Sequence, residues 1–216
     1  MRLFVPEQKH RNRAVLQVDP LKTDKRVQRT EQTLRDALLE LMVERGYERL
    51  TVQDILDRAG IGRATFYFHY RGKDDLLRRS LDQLRSLLSK QWQPNSGGKS
   101  PLGFSLAFFR HVDSHRRLYQ AIVGRESGVI VDREMRRLLT ALVIESTGVL
   151  GSIGKNTSRA DLAGQYIVGA LMSIVTWWLD CAIKLSPEEL DSVFQEMTHP
   201  ALRAIRKFPN RHPVRG

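Results

Sequence analysis

Residues 51–77, TVQDILDRAGIGRATFYFHYRGKDDLL, decide the fold of this chain. Thr51 stands where a helix N-cap hydroxyl is wanted, and Val52, Ile55, Leu56 and Ala59 follow at three- and four-residue steps. A short helix with one buried face is predicted over 52–59. Gly60 breaks it, and Ile61 is an apolar turn residue that anchors the turn to a core. A second short helix is predicted over 63–70, with Phe66 and Tyr70 four apart and able to pack back on that core. Arg71-Gly72 stops it. Lys73-Asp74-Asp75-Leu76-Leu77 then opens a longer helix to about Gln91, its two acids suited to the positive end of the helix dipole.

Upstream, Thr23 or Asp24 can cap a helix that runs to about Arg45, with Val27, Leu34, Ala37, Leu38, Leu41 and Met42 on one face and Gly46 at its end. Residues 1–22 carry charge, two prolines and no sustained periodicity, which predicts a flexible basic arm. Downstream, PNSGGKSP (94–101) is a linker composition. Four helical segments are predicted beyond it: 102–123 with a bend near Asp113-Ser114, 129–150, 158–183, and a last one from Pro187 that Pro200 kinks or restarts and that ends near 205. No alternating strand pattern stands out. The expected class is all-α, with a three-helix helix-turn-helix domain over 23–77, a larger helical body over 78–207 and a flexible basic tail over 208–216.

The formal net charge of +11 favours a polyanionic partner, but the first 80 residues hold 17 Lys/Arg against 12 Asp/Glu, so the excess is not concentrated there. The local signals are a basic lead-in (Lys22, Lys25, Arg26, Arg29) and a basic tail (Arg203, Arg206, Lys207, Arg211, Arg215). The single cysteine, Cys181, excludes an intrachain disulfide and suits a reducing cytoplasm. The first residues show no signal-peptide run, and the most apolar stretch, 166–179, falls short of the roughly 20 residues a spanning helix needs. A cytoplasmic protein with no membrane partner is expected.

The major groove of B-DNA admits one α-helix, and a two-helix unit lets the first brace while the second reads. Once Phe66 and Tyr70 turn inward, Arg63, Thr65, Tyr67 and His69 remain for DNA. Arg63 suits guanine or phosphate, Thr65 a thymine methyl, and Tyr67 and His69 the phosphates. Lys73 and Thr51, each at a helix start, are expected at phosphates as well.

The stretch resembles the TetR/AcrR family of bacterial regulators. The resemblance covers roughly 24–77 and rests on Thr51, Ala59-Gly60-Ile61, Arg63-Ala64-Thr65-Phe66-Tyr67-Phe68-His69-Tyr70 and Lys73-Asp74-Asp75-Leu76, together with Gly46-Tyr47 ahead of them. Gly62 stands where that family commonly has serine, Ala64 where it often has glycine, and Tyr70 where it often has phenylalanine. The resemblance implies double-stranded operator DNA bound through Thr51, Arg63, Ala64, Thr65, Tyr67, His69, Tyr70 and Lys73. It also implies a homodimer, a palindromic operator, repression, and release by a small-molecule effector held in the C-terminal body. FFRHVDSHRRLYQAI (108–122) and VGALMSIVTWWL (168–179) look like the C-terminal domain of the branch that includes the DhaS-type regulators. The alternative within the family is an activator, or a protein co-regulator without an effector.

Outside that stretch, His111, His115 and Tyr119 share a helical face and, with Trp177, are the candidates for an effector site. Two histidines four apart can bind a metal, but no HExxH and no third ligand accompany them, so neither metal nor cofactor is expected. Gly169 and Ser173, four apart, would let another helix approach closely, as at a core or dimer contact. Ser152 and Lys155 spell an SxxK without the rest of a serine acylase site, and 151–158 is expected to be a loop. No complete catalytic constellation is present, so an enzyme is not expected. A membrane-surface protein would need a basic amphipathic face beside an exposed apolar one, and that pattern is also missing.

Overall fold

A computed structural model describes residues 20–91, 102–123, 129–147, 157–181 and 184–207, and the predicted arm up to residue 19, the linker, the loop 151–156 and the tail 208–216 lie outside these. Among the described residues there are nine helices and no strand. The first four, α1 (Pro20–Arg45), α2 (Val52–Ala59), α3 (Arg63–His69) and α4 (Lys73–Gln91), follow the spacing of the sequence closely. The first helix begins at Pro20, ahead of the Thr23 or Asp24 start the sequence suggested.

These four build a head around one apolar cluster. Leu34, Leu38 and Leu41 of α1 meet Ile55 and Leu56 of α2, Phe66 of α3, Tyr70 after it, and Leu76 and Leu77 of α4. Gly60 adopts φ +64° and donates its N–H to the Leu56 carbonyl, so the chain leaves α2 through a left-handed residue that favours glycine. Arg58 clips α2 to α1 by ion pairs to Glu44 (2.7 Å) and Glu40 (3.1 Å). That pairing holds the Glu44 carboxyl below its usual range.

The body consists of α5 (Phe104–Ser114), α6 (Arg116–Val123), α7 (Val129–Thr147), α8 (Thr157–Asp180) and α9 (Pro187–Lys207), joined by the far end of α4. The bend expected near Asp113-Ser114 is a break at His115, which separates α5 from α6. Pro200 does not restart the last helix: α9 runs through it to Lys207. Phe109, Trp178 and Phe194 pack edge to face in the body core and bring α5, α8 and α9 together. The Trp178 indole N–H donates to Leu185, and the buried Ser105 hydroxyl donates to Asp191, joining α5 to α9. Burial raises the Asp191 carboxyl above its ordinary value.

Head and body are not independent. Val131 of α7 is buried in the head cluster, Leu118 and Ile122 of α6 pack against it, and Leu81 of α4 touches both cores. The apolar stretch is longer than the sequence suggested: Asp161–Asp180 within α8 has the length and composition of a membrane span, yet half of that stretch is buried inside the body.

The close helix approach falls at Gly164 rather than at Gly169. A Cβ on Gly164 would lie 2.8 Å from the Thr140 methyl, whereas one on Gly169 would meet nothing within 4 Å. Alanine at 164 gains about 1 kcal/mol of helix propensity and loses about 1–3 kcal/mol to overpacking. Gly164→Ala is therefore expected to lower stability in urea denaturation by about 1 kcal/mol. In a Thr140→Ser background, where the methyl is gone, the same change is expected to become stabilising.

Candidate nucleic-acid interface

The second helix of the head is short and depends on its surroundings. At seven residues, α3 is below the length at which a helix holds itself in water. Phe66 is its fully buried side chain, and the Tyr70 N–H closes it on the Phe66 carbonyl (2.8 Å). Gly62 is its N-cap and offers no side-chain hydrogen bond. That is the consequence of glycine where serine was expected.

What α3 leaves outward is the candidate interface. Arg63, Ala64, Thr65, Tyr67 and Phe68 are exposed and His69 is half-buried. Arg63 donates to the Gln53 side-chain oxygen (2.7 Å), which lays the guanidinium across the turn between α2 and α3. Phe68 is 82% exposed, the highest value among the large apolar side chains described. The sequence reading passed over it. Helical spacing alone places Phe68 beside Ala64 and Thr65, so the signal was available. Ala64, Thr65, Phe68 and His69 share a shallow groove with Arg26, Val27 and Thr30 of α1. Arg26, from the basic lead-in, thus stands beside the outward face of α3.

Three of the expected DNA contacts also have partners within the head. Lys73 Nζ donates to the carbonyls of Tyr47 (3.1 Å), Glu48 (3.3 Å) and Leu50 (2.8 Å), and sits 4.6 Å from the centre of the Tyr47 ring. Its ammonium thus fastens the turn between α1 and α2 to the start of α4. Thr51 is the capping-box residue of α2: its hydroxyl accepts from the Asp54 N–H and donates to the Asp54 carboxylate, which also takes the Thr51 N–H. The hydroxyl is committed to the cap. Tyr70 is 4% exposed, packs against Phe66 and lies under the Arg79 guanidinium, so its ring faces the core and not DNA.

The effector candidates divide. His111, His115 and Tyr119 line one cavity of about 710 Å³ between head and body. Trp177 does not line it: the indole is 48% exposed on the outer face of α8, and its neighbour Trp178 is the buried one. Burial lowers the His111 imidazole to about 4, with the nearby His115 adding to the effect. No cluster of three or more metal-ligating side chains occurs among the described residues. Cys181 lies just past the end of α8, half-buried.

Against known proteins, residues 34–79 match the family model described as bacterial regulatory proteins, tetR family. Residues 99–200 match one described as a transcriptional regulator C-terminal region. Over 61 residues the chain is 39% identical to the HTH-type transcriptional regulator YxbF of Bacillus subtilis (strain 168), an alignment spanning 28% of this chain and 16% of that protein. Among solved structures, a TetR transcriptional regulator from Streptococcus agalactiae 2603V superposes with a TM-score of 0.59 at 22% identity, over 83% of this chain and 99% of that one. The dihydroxyacetone kinase operon activator DhaS does so with a TM-score of 0.50 at 18% identity, over 84% and 98%. The two structural likenesses speak to the fold.

The placement of Lys73 has a measurable consequence. Lys73→Met strips three carbonyls of their shared donor and is expected to cost about 1–3 kcal/mol in denaturation experiments. A lysine whose only role was a phosphate contact would leave stability unchanged on the same substitution.

Proposed function

Since this chain belongs to the TetR family of bacterial transcriptional regulators, we propose that it is a cytoplasmic repressor that binds a palindromic operator as a homodimer and is released by a small-molecule ligand. The observation that carries the DNA reading is the outward face of α3: a guanidinium, a threonine methyl, two exposed aromatic rings and a half-buried imidazole on one short helix, with Arg26 beside it. In this reading Arg63 bonds guanine or phosphate, and Thr65 and Phe68 meet thymine methyls. Ala64 admits a close approach, and Tyr67, His69 and Arg26 take phosphates. Thr51, Tyr70 and Lys73 act indirectly, by fixing where α3 sits.

The homodimer rests on a second observation. Leu162, Tyr166 and Trp177 of α8 and Val193 and Met197 of α9 are all about half exposed or more. They are five of the ten exposed large apolar side chains described. Leu162, Tyr166, Ser173 and Trp177 fall on one helical stripe, and the open space at Gly169 lies along it. A second copy laying the same two helices against these makes a self-complementary contact. Two heads then enter successive major grooves about one helical turn apart, roughly 34–36 Å. The second reading, an activator acting from the same kind of site, differs in the sign of its effect on transcription, which a promoter fusion reads directly. No enzymatic role is assigned.

Footprinting on DNA flanking the gene is expected to show two protected half-sites related by a dyad. By fluorescence anisotropy, Arg63→Ala and Phe68→Ala are each expected to cost about 1–3 kcal/mol on that site and to relax its sequence preference. Arg26→Ala is expected to weaken specific and unrelated duplexes alike and to shallow the salt dependence by about one ion. Affinities unchanged in all three would remove α3 as the reading helix. For the dimer, Trp177→Glu combined with Met197→Glu is expected to yield a monomer by light scattering, with loss of paired protection. A wild-type chain that is already monomeric at micromolar concentration would refute the two-head arrangement.

A further inference from the structure

The cavity between head and body has walls from both. Leu39 and Met42 come from α1, Leu84 and Leu87 from α4, Ile122 from α6 and Met135 from α7. Its volume, about 710 Å³, lies in the range of sites that enclose a small organic molecule. Leu87 at its edge is 44% exposed, one more large apolar side chain left without full cover.

Two polar groups on its wall have no hydrogen-bond partner among the described residues. Tyr119 is 2% exposed, its ring held edge to face by Phe108, and its hydroxyl has no hydrogen-bond partner among the described residues. Burial alone pushes that phenol well above its ordinary range. The His111 ring stands edge to face with Tyr119, centres 5.8 Å apart, and stacks on His115 at 4.3 Å. His115 Nδ1 is satisfied by the His111 carbonyl and the Ser114 hydroxyl, but the His111 ring nitrogens have no such partner among the described residues. A buried hydroxyl left unpaired costs free energy, and such groups in folded proteins normally find a partner. Here the missing partner has a cavity to come from.

We propose that this cavity binds an uncharged, mainly apolar alcohol or phenol, whose hydroxyl accepts from Tyr119 and donates to the His111 imidazole, and that occupancy regulates the head. The chemistry selects a hydroxyl because one oxygen then both accepts and donates. A carboxylate would bury a charge against two neutral groups, at a much larger cost. The cations at the cavity edge, Arg35 and Lys90, belong to α1 and α4, whereas the unsatisfied pair comes from α5 and α6. Because α1 carries the head and α5–α7 the body, a molecule wedged here changes how the two meet. The regulatory half of this proposal rests on the DNA-binding reading above, whereas the binding half does not.

The test uses the full chain with 4-hexylphenol, 4-hexylanisole and decanoate as probes, followed by calorimetry and thermal denaturation at pH 7. Expected is binding of 4-hexylphenol about tenfold tighter than that of 4-hexylanisole, which lacks the donor, with decanoate weaker than both. His111→Phe, which removes the acceptor, is expected to erase the tenfold preference, whereas Tyr119→Phe is expected to weaken 4-hexylphenol and 4-hexylanisole alike without lowering the melting midpoint of the ligand-free protein, since its hydroxyl has no partner to lose among the described residues. Leu84→Trp, which fills the cavity, is expected to weaken all three probes. Tighter binding of decanoate, an unchanged preference in His111→Phe, or a midpoint several degrees lower in Tyr119→Phe would overturn the ligand class. Duplex affinity is measured on the same samples with and without 4-hexylphenol. A shift of several-fold is expected in duplex affinity, with the reciprocal shift in probe affinity. Binding of the probe with duplex affinity unmoved would overturn the regulation alone. Absence of duplex binding in the untreated protein would instead overturn the DNA reading and leave the cavity result standing.

Discussion

The ammonium group of Lys73 holds the head together at its weakest point. The turn between α1 and α2 ends one helix and starts another, so its carbonyls have few partners of their own. Lys73 gathers three of them, and the Tyr47 ring beneath it screens that contact from water. The Tyr47 hydroxyl donates to Asp74, the next residue of α4, and that bond together with burial raises the phenol. The first turn of α4 is thereby locked to the turn that launches α2. Since α3 is the link between α2 and α4, fixing those two at both of its ends fixes its direction.

That lock explains how so small a helix presents so many side chains. A seven-residue helix with one fully buried side chain has little hold on its own orientation. It inherits that orientation from Gly60, which turns the chain, from the Arg63–Gln53 bond across the turn, and from Tyr70, which returns to the core. The other outward residues form none of these orienting contacts. The division is sharp: Phe66 and Tyr70 pay the packing cost, while Thr65, Tyr67 and Phe68 face solvent.

Much of this was legible in the sequence because it is local. Helix spacing, the Thr51 cap, the Gly46 and Gly60 breaks and the inward pair Phe66 and Tyr70 all lie within one or two turns of one another. What the sequence does not show is long-range. The carbonyls that Lys73 holds lie 23 to 26 residues upstream, beyond any local pattern. Nothing in WW tells which of Trp177 and Trp178 turns inward, because α8 is apolar on several sides and neighbouring helices choose its buried face. Gly169 has the better-looking small-residue spacing, yet Gly164 is where Thr140 crosses. By contrast His111, His115 and Tyr119 do line one cavity, since an i, i+4, i+8 pattern survives the break at His115.

The same local-versus-distant distinction bears on control. The head core is completed by a body residue, Val131, and backed by Leu118 and Ile122 of α6, so the head has no closed core of its own. The cavity lies along that shared seam and is walled by α1 and α4; α4 carries Lys73 and Asp74, and their partner Tyr47 lies in the turn just after α1. A change in the packing of α1 against α6 therefore reaches α3 through rigid elements and one short turn. Opposite charges at the surface cannot resist it strongly, because exposed ion pairs such as Arg58–Glu40 and Arg85–Glu145 are weak constraints. The resistance comes from apolar contact across the seam, and the cavity is where that contact is incomplete.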